Sequence, residues 1–256
     1  MPIHSSSSGA LQTSTLAGLP NATNIRTGTA FSVTDYGGNI ATVVAGAWRF
    51  EYPFRTTWSG RPAVGLVPVG TELQVTDFAN QKWINDGTYW LPAQGRALLL
   101  SRSSGATGFI AQISGLTAAV FTVSGNKIPA GMIPPEGRIL VTSDGFKTGG
   151  TAGYRLRTHL GLLNSAADPE ITSVVSSSAT GVPFAMSTSA RFGQETGRFS
   201  SRGGLGEGVS STTGFVMNSK NFGLNTQEEM FVNIAVAEGN IADVYNLVSL
   251  QVWLEA

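Results

Sequence analysis

A shift of 42 positions lays one stretch of the chain on another. Gly28 and Thr29 fall on Gly70 and Thr71. Val33, Thr34 and Asp35 fall on Val75, Thr76 and Asp77, Tyr36 falls on Phe78, and Trp48 falls on Trp90. One constant offset across this many positions identifies a duplicated small unit, although two copies are fewer than a solenoid needs. In each copy a short alternating run, "AFSVTDY" or "ELQVTDFA", leads into turn-prone residues, and a tryptophan follows in a strand-like setting. A strand, a turn and a returning strand with an aromatic anchor predict a β-hairpin. Asp86-Gly87 is a further tight-turn signal. Asp35 and Asp77 are expected to cap these turns through backbone N–H groups, since neither has a second carboxylate at ligand spacing. The copies also concentrate aromatic surface: Trp48, Tyr52, Phe54, Trp58, Trp83, Tyr89 and Trp90. Small hairpins do not bury that much alone, so some of it is expected to pack on another chain or on the following domain.

Downstream the pattern changes to longer alternating runs between glycine-rich turns. In "YRLRTHLG", Tyr154, Leu156, Thr158 and Leu160 share one side, and Arg155, Arg157 and His159 share the other. Met230, Val232, Ile234 and Val236 share a face, as do Val248, Leu250, Val252 and Leu254. Period-two alternation over many runs, with no convincing helix, predicts an all-β chain with an antiparallel β-sandwich, jelly-roll-like in its strand number and crossing loops. The expected division is a flexible Ser/Thr-rich segment at 1–20, a duplicated β-hairpin region at 21–96 and a β-sandwich head at 97–256. Gly193 to Gly214 is too long and glycine-rich for a hairpin connection and reads as a long loop.

Composition narrows the function. Charged residues are 12% of 256, and the 16 lysines and arginines balance the 16 aspartates and glutamates. A weakly charged, neutral chain lacks the basic face that nucleic acid requires. No cysteine is present, so disulfides and thiolate metal sites are excluded. The start lacks a basic segment followed by an apolar core, and no 18-residue apolar run occurs, so synthesis in a cytoplasm without membrane insertion is expected.

Reactive chemistry is thinly represented. The two histidines, His4 and His159, have no partner at zinc-ligand spacing. No nucleophile elbow or phosphate loop appears; "GGLGEG" at 203–208 lacks the lysine and following helix that a phosphate loop needs. Asp144, Asp168, Glu170, Glu195 and Glu207 are the acids available to a glycosidase, and their spacing sets no opposed pair. The expectation is a non-enzymatic protein with no cofactor and no metal. Arg155, Arg157 and His159 on one strand face are candidates for contact with an anionic glycan or phosphate, against the plainer reading of a solvated or ion-paired face. Arg191, Arg198 and Arg202, in or beside the long loop, are candidates for an adaptable recognition surface, against a loop packed on a neighbouring subunit.

The sequence "G-T-x-x-x-V-T-D" at Gly70, Thr71, Val75, Thr76 and Asp77, followed by "D-G-T-x-W-x-P-x-x-G" at Asp86, Gly87, Thr88, Trp90, Pro92 and Gly95, resembles segments of tailed-bacteriophage tail fibres, tailspikes and related receptor-binding proteins. "I-P-A-G" at Ile128 to Gly131, followed by an apolar strand, resembles their C-terminal heads. The resemblance implies a homotrimer in the virion tail, joined to other tail or virion proteins through its N-terminal region. It further implies a short tail fibre or fibre tip that binds bacterial surface polysaccharide or lipopolysaccharide. A capsule-degrading tailspike enzyme and a structural adaptor or head-decoration protein are the alternatives. The chain departs from a classical fibre in lacking a long repetitive shaft.

Overall fold

The computed structural model describes residues 11–104, 108–114, 119–149, 153–176, 183–192, 197–205, 218–237 and 242–256. The chain divides into two compact units, 1–93 and 94–256.

The first unit is the duplication made physical. Strands β1 (Gln12–Ser14), β2 (Ala30–Val33), β3 (Asn39–Val44) and β4 (Ala47–Phe50) form one sheet in that order. Strands β5 (Phe54–Thr56), β6 (Glu72–Val75), β7 (Gln81–Asn85) and β8 (Trp90–Pro92) form the second in the same order. In both, the first pairing is parallel and the other two antiparallel. The repeat is therefore a hairpin meander with a parallel strand laid on its edge, and it begins at Gln12, inside the segment expected to be flexible. Residues 1–10 of that segment lie outside the described residues.

The same hydrogen bonds recur at the 42-residue offset. Leu16 N–H donates to both oxygens of Asp35, at 2.9 and 3.2 Å, and Trp58 N–H donates to both oxygens of Asp77, at 3.0 and 3.3 Å. These aspartates tie down the chain leaving the parallel strand instead of capping the hairpin turn. Trp48 Nε1–H donates to the Pro20 carbonyl and Trp90 Nε1–H to the Pro62 carbonyl, each at 3.0 Å. Gly28 and Gly70 sit at φ 89° and 84°, and their N–H groups reach the carbonyls of Val43 and Asn85 at 2.8 Å. That left-handed backbone is why glycine occupies both positions.

Most of the aromatic surface is absorbed locally. Trp58, Trp83 and Trp90 are buried, with the Trp58 and Trp83 rings 4.8 Å apart. The two repeats meet through Tyr36 and Phe50, each with its ring centroid 4.7 Å from that of Phe54 in an edge-on or tilted contact, and through a Tyr36 hydroxyl bond to the Gly60 carbonyl. Tyr52 remains exposed.

The second unit is a two-sheet sandwich. Its strands are β9 (Arg96–Ser103), β10 (Ala111–Ser114), β11 (Ala119–Val120), β12 (Lys127–Ile128), β13 (Arg138–Thr148) and β14 (Tyr154–Gly161). They continue with β15 (Glu170–Ser176), β16 (Pro183–Phe192), β17 (Gly197–Leu205), β18 (Asn218–Leu224), β19 (Met230–Ala237) and β20 (Val244–Glu255). The seven-stranded sheet runs β10-β20-β13-β16-β17-β18, with β9 sharing the β20 edge with β10. The five-stranded sheet runs β11-β19-β14-β15, with β12 also on β19. All pairings are antiparallel. Part of the span expected to be a long loop is thus a strand: Gly197–Leu205 pairs with both β16 and β18.

The core lies between the sheets. Leu156 and Leu160 of β14 and Val232, Ile234 and Val236 of β19 are buried, as are Ile139, Val141, Leu250, Val252 and Leu254 of the other sheet. Tyr154 packs at 5.1 Å from Tyr245 and 6.2 Å from Phe184 across the gap. One ion pair is fully enclosed here: Lys147 Nζ lies 3.6 Å from Asp243 Oδ1, and the Tyr245 hydroxyl donates to Asp243 Oδ2 at 2.9 Å.

Candidate functional site

The outer face of the seven-stranded sheet follows from the alternation of β13 and β20. With Ile139, Val141 and Ser143 turned inward and buried, Leu140, Thr142 and Asp144 face out. On β20 the buried Leu250, Val252 and Leu254 leave Ser249, Gln251 and Trp253 outward and half-buried, apart from the bulged stretch beside Gly145.

Register then sets rows across the sheet. Leu98, Trp253, Leu140 and Ser189 form one row. Ser101, Gln251, Thr142 and Ser187 form the next, and Ser103, Ser249 and Asp144 the third. Arg96, Glu255, Arg138 and Arg191 border the first row at the end of the sheet. The Arg96 guanidinium lies over the Trp253 ring, 4.8 Å from its centroid. Trp253 Nε1–H points to Gln251 Oε1 at 3.4 Å, and the Ser249 hydroxyl donates to Asp144 Oδ2 at 2.6 Å. Arg138 pairs with Glu255 at 3.4 Å and Arg191 with Glu136 at 3.6 Å. The face therefore offers an aromatic side chain beside two rows rich in hydroxyl and amide groups, the outer of which also carries the exposed Asp144 carboxylate. Arg138 and Arg191 are ion-paired along one border, where Arg96 covers the Trp253 ring.

The residues singled out in the sequence do not converge. Arg191 stands on this face, and Arg202 takes the register position opposite Ser189, while Arg198 lies opposite Asn221 on β18. The side chains of Arg198 and Arg202 lie outside the described residues. Arg155, Arg157 and His159 belong to β14, on the outer side of the other sheet. Arg157 is paired with Glu170 at 3.2 Å. His159 is 3% exposed, and its Nδ1–H donates to the Asp168 carbonyl at 2.7 Å. The stripe is an ion-paired, partly buried face at this end instead of an open cationic row. Buried His159 belongs to a packed polar cluster: Asp168 accepts from Leu163 N–H at 2.8 Å and Ser165 N–H at 3.1 Å, and Asn126 Nδ2 donates to Asn233 Oδ1 at 2.7 Å.

The acids have structural partners too. Asp168 holds the 163–165 turn, Glu170 pairs with Arg157, and Asp144 holds Ser249. Glu195 and Glu207 lie outside the described residues. No group of three or more metal-ligating side chains is assembled among the described residues.

Sequence reading passed over Trp253 and Gln251. The signal was present: once the inward set of β20 is assigned, a tryptophan is left on the polar side of a regular strand.

No protein-family model matches the sequence, and no curated protein matches it. Among solved structures, the lectin UEA-II complexed with galactose overlaps 64% of this chain and 94% of its own, with TM-score 0.32 and 8% identity. A Lotus tetragonolobus seed lectin overlaps 62% and 87%, with TM-score 0.30 and 7% identity. The CBM2 module of an evolved Dit from Lactobacillus casei BL23 phage J-1 overlaps 60% and 80%, with TM-score 0.29 and 8% identity. The solved structures similar at this level thus include lectins and a phage module. Overlaps this slight carry no argument about the site.

Proposed function

We propose that this chain is a non-enzymatic bacteriophage tail protein, a short fibre or fibre tip, that recognises host surface polysaccharide through the outer face of its seven-stranded sheet. The observation that carries the reading is Trp253, half-buried beside the Ser/Thr/Gln rows, with the Arg96 guanidinium 4.8 Å over its ring. An indole face stacks on the C–H face of a pyranose, and hydroxyls and amides, each both donor and acceptor, exchange hydrogen bonds with sugar hydroxyls. The face is open and regular, which suits a polymer lying across it. The resemblance of the repeat and head motifs to phage receptor-binding proteins supports the virion setting. On this reading the chain acts as a homotrimer, attached to other virion proteins through its N-terminal region.

The test is binding of the full chain to a panel of purified bacterial surface polysaccharides and lipopolysaccharides, with Trp253→Ala beside it. At least one polysaccharide binds saturably, and the variant weakens that binding about tenfold or more. A Trp253→Ala protein that changes its subunit number while binding the same polysaccharide equally well would reassign the face to subunit contact. Shortening of the polysaccharide during incubation would favour the degrading enzyme.

A further inference from the structure

The two repeats share a backbone, so each serves as a control for the other. Positions that agree at the 42-residue offset hold the scaffold; positions that differ report what one copy does that the other does not. The sharpest difference follows the paired tryptophans. After Trp48 the chain reads Arg49, Phe50, Glu51, Tyr52; after Trp90 it reads Leu91, Pro92, Ala93, Gln94. The backbone bonds are the same in both, with Glu51 N–H donating to the Ile40 carbonyl and Ala93 N–H to the Lys82 carbonyl, each at 2.9 Å. Only the first copy carries the aromatic and charged side chains.

Those side chains line a groove of about 300 Å³ within the first unit. One wall is Trp48 to Pro53, and the other is Pro68 to Glu72 of the second repeat. Tyr52 is 61% exposed and Val69 65%, so neither is consumed by packing. Yet Tyr52 is held firmly. Buried Asn39 uses both polar groups of its amide on the Tyr52 backbone: Nδ2 donates to the Tyr52 carbonyl at 2.7 Å, and Oδ1 accepts from Tyr52 N–H at 3.2 Å. Trp48 is likewise fixed, by its bond to the Pro20 carbonyl and by an edge contact with Phe31 at 5.6 Å. A buried side chain dedicated to fixing the backbone of a solvent-facing aromatic residue adds nothing to the core at that ring. It fixes the point from which the Tyr52 side chain leaves the backbone at the groove.

We propose that this groove is a second saccharide site, taking a single uncharged pyranose residue. The proposal does not depend on the sheet face. Its volume suits one ring better than a helix or an extended peptide. Tyr52, Phe50 and Trp48 line the groove and supply aromatic surface for the sugar C–H face. Glu51 and Glu72 supply acceptors for sugar hydroxyls, and Lys82, 3.6 Å from Glu72, offsets one of those charges. Arg49 lines the groove with Glu51, so with Lys82 counted the groove has two positive and two negative side chains and no net charge to attract an anionic ligand.

The experiment is NMR titration of the full ¹⁵N-labelled chain with methyl pyranosides of the gluco, galacto, manno and 2-acetamido-2-deoxygluco series. At least one glycoside shifts the Trp48 indole N–H saturably. The shift persists in Trp253→Ala and in Tyr52→Phe, and the affinity falls about tenfold in Tyr52→Ala. Tyr52 is a surface residue, and an unchanged unfolding midpoint confirms that its variants fold. A Trp48 signal unmoved by every glycoside, or affinity equal in Tyr52→Ala and wild type, would overturn the groove site. Glycoside binding that Trp253→Ala abolishes and Tyr52→Ala leaves intact would overturn it too, while leaving the sheet-face reading standing.

Discussion

At the residue scale the repeat is held by a few directional bonds. Asp35 and Asp77 each accept the backbone N–H nineteen residues upstream with both oxygens. A carboxylate accepting a backbone N–H is a charge-assisted bond, so Asp77→Ala should cost about 1–3 kcal/mol, measured by denaturant unfolding. The sequence made both aspartates visible because they recur at one offset, but it put them in a turn. A local motif carries no record of a partner that far away in the chain. His159 misled in the same way: alternation placed it beside two arginines, while the Asp168 carbonyl that occupies its Nδ1 arrives from a loop.

Tyr245 supplies the pH dependence at this scale. Burial, followed by its hydrogen bond to Asp243 and the charge of that residue, raises its ionisation well above the ordinary tyrosine value. The folded state therefore favours the neutral phenol. The stability this contributes is present in full below about pH 10 and is lost as pH rises beyond that. The unfolding midpoint should fall on the alkaline side, and Tyr245→Phe should remove that part of the slope while lowering stability at neutral pH.

At the element scale the long strands were legible and the irregular ones were not. β13 and the second half of β20 alternate in burial as they do in sequence, whereas β19 is buried at every residue but Phe231 and β14 from Thr158 on. β17 hides because a Gly/Ser-rich run has no apolar period to detect; its pairing with β16 and β18 is what makes it a strand. The parallel β1 and β5 hide for a related reason, since three residues are too few to show alternation. Half of the sheet face was readable from β20 alone, but the rows across it needed the register. The enclosed Lys147–Asp243 pair lies where β13 meets the start of β20. Lys147→Met leaves a carboxylate buried without its cation and should cost about 3–5 kcal/mol in thermal or chemical unfolding. Replacing both residues by apolar ones of similar size should recover most of that loss.

At the scale of the whole molecule the sequence changes from short paired runs to long alternating ones at about residue 97, and the two compact units divide at 93/94. Subunit number was not written in composition. The proposed homotrimer rests on the resemblance to phage receptor-binding proteins, and light scattering on the purified chain should return three times 26.7 kDa. Two saccharide sites on one chain, multiplied by trimerisation, would make binding to a polymer far tighter than binding to a single sugar. Polysaccharide affinity should accordingly exceed that for methyl glycosides by about a hundredfold or more.

The most direct measurement is a calorimetric titration of wild type and Trp253→Ala with the polysaccharide that binds best in the panel, both proteins having matched unfolding curves and subunit number. The account predicts saturable binding by wild type and at least about tenfold weaker binding by the variant. Equal affinity in the two proteins would contradict it.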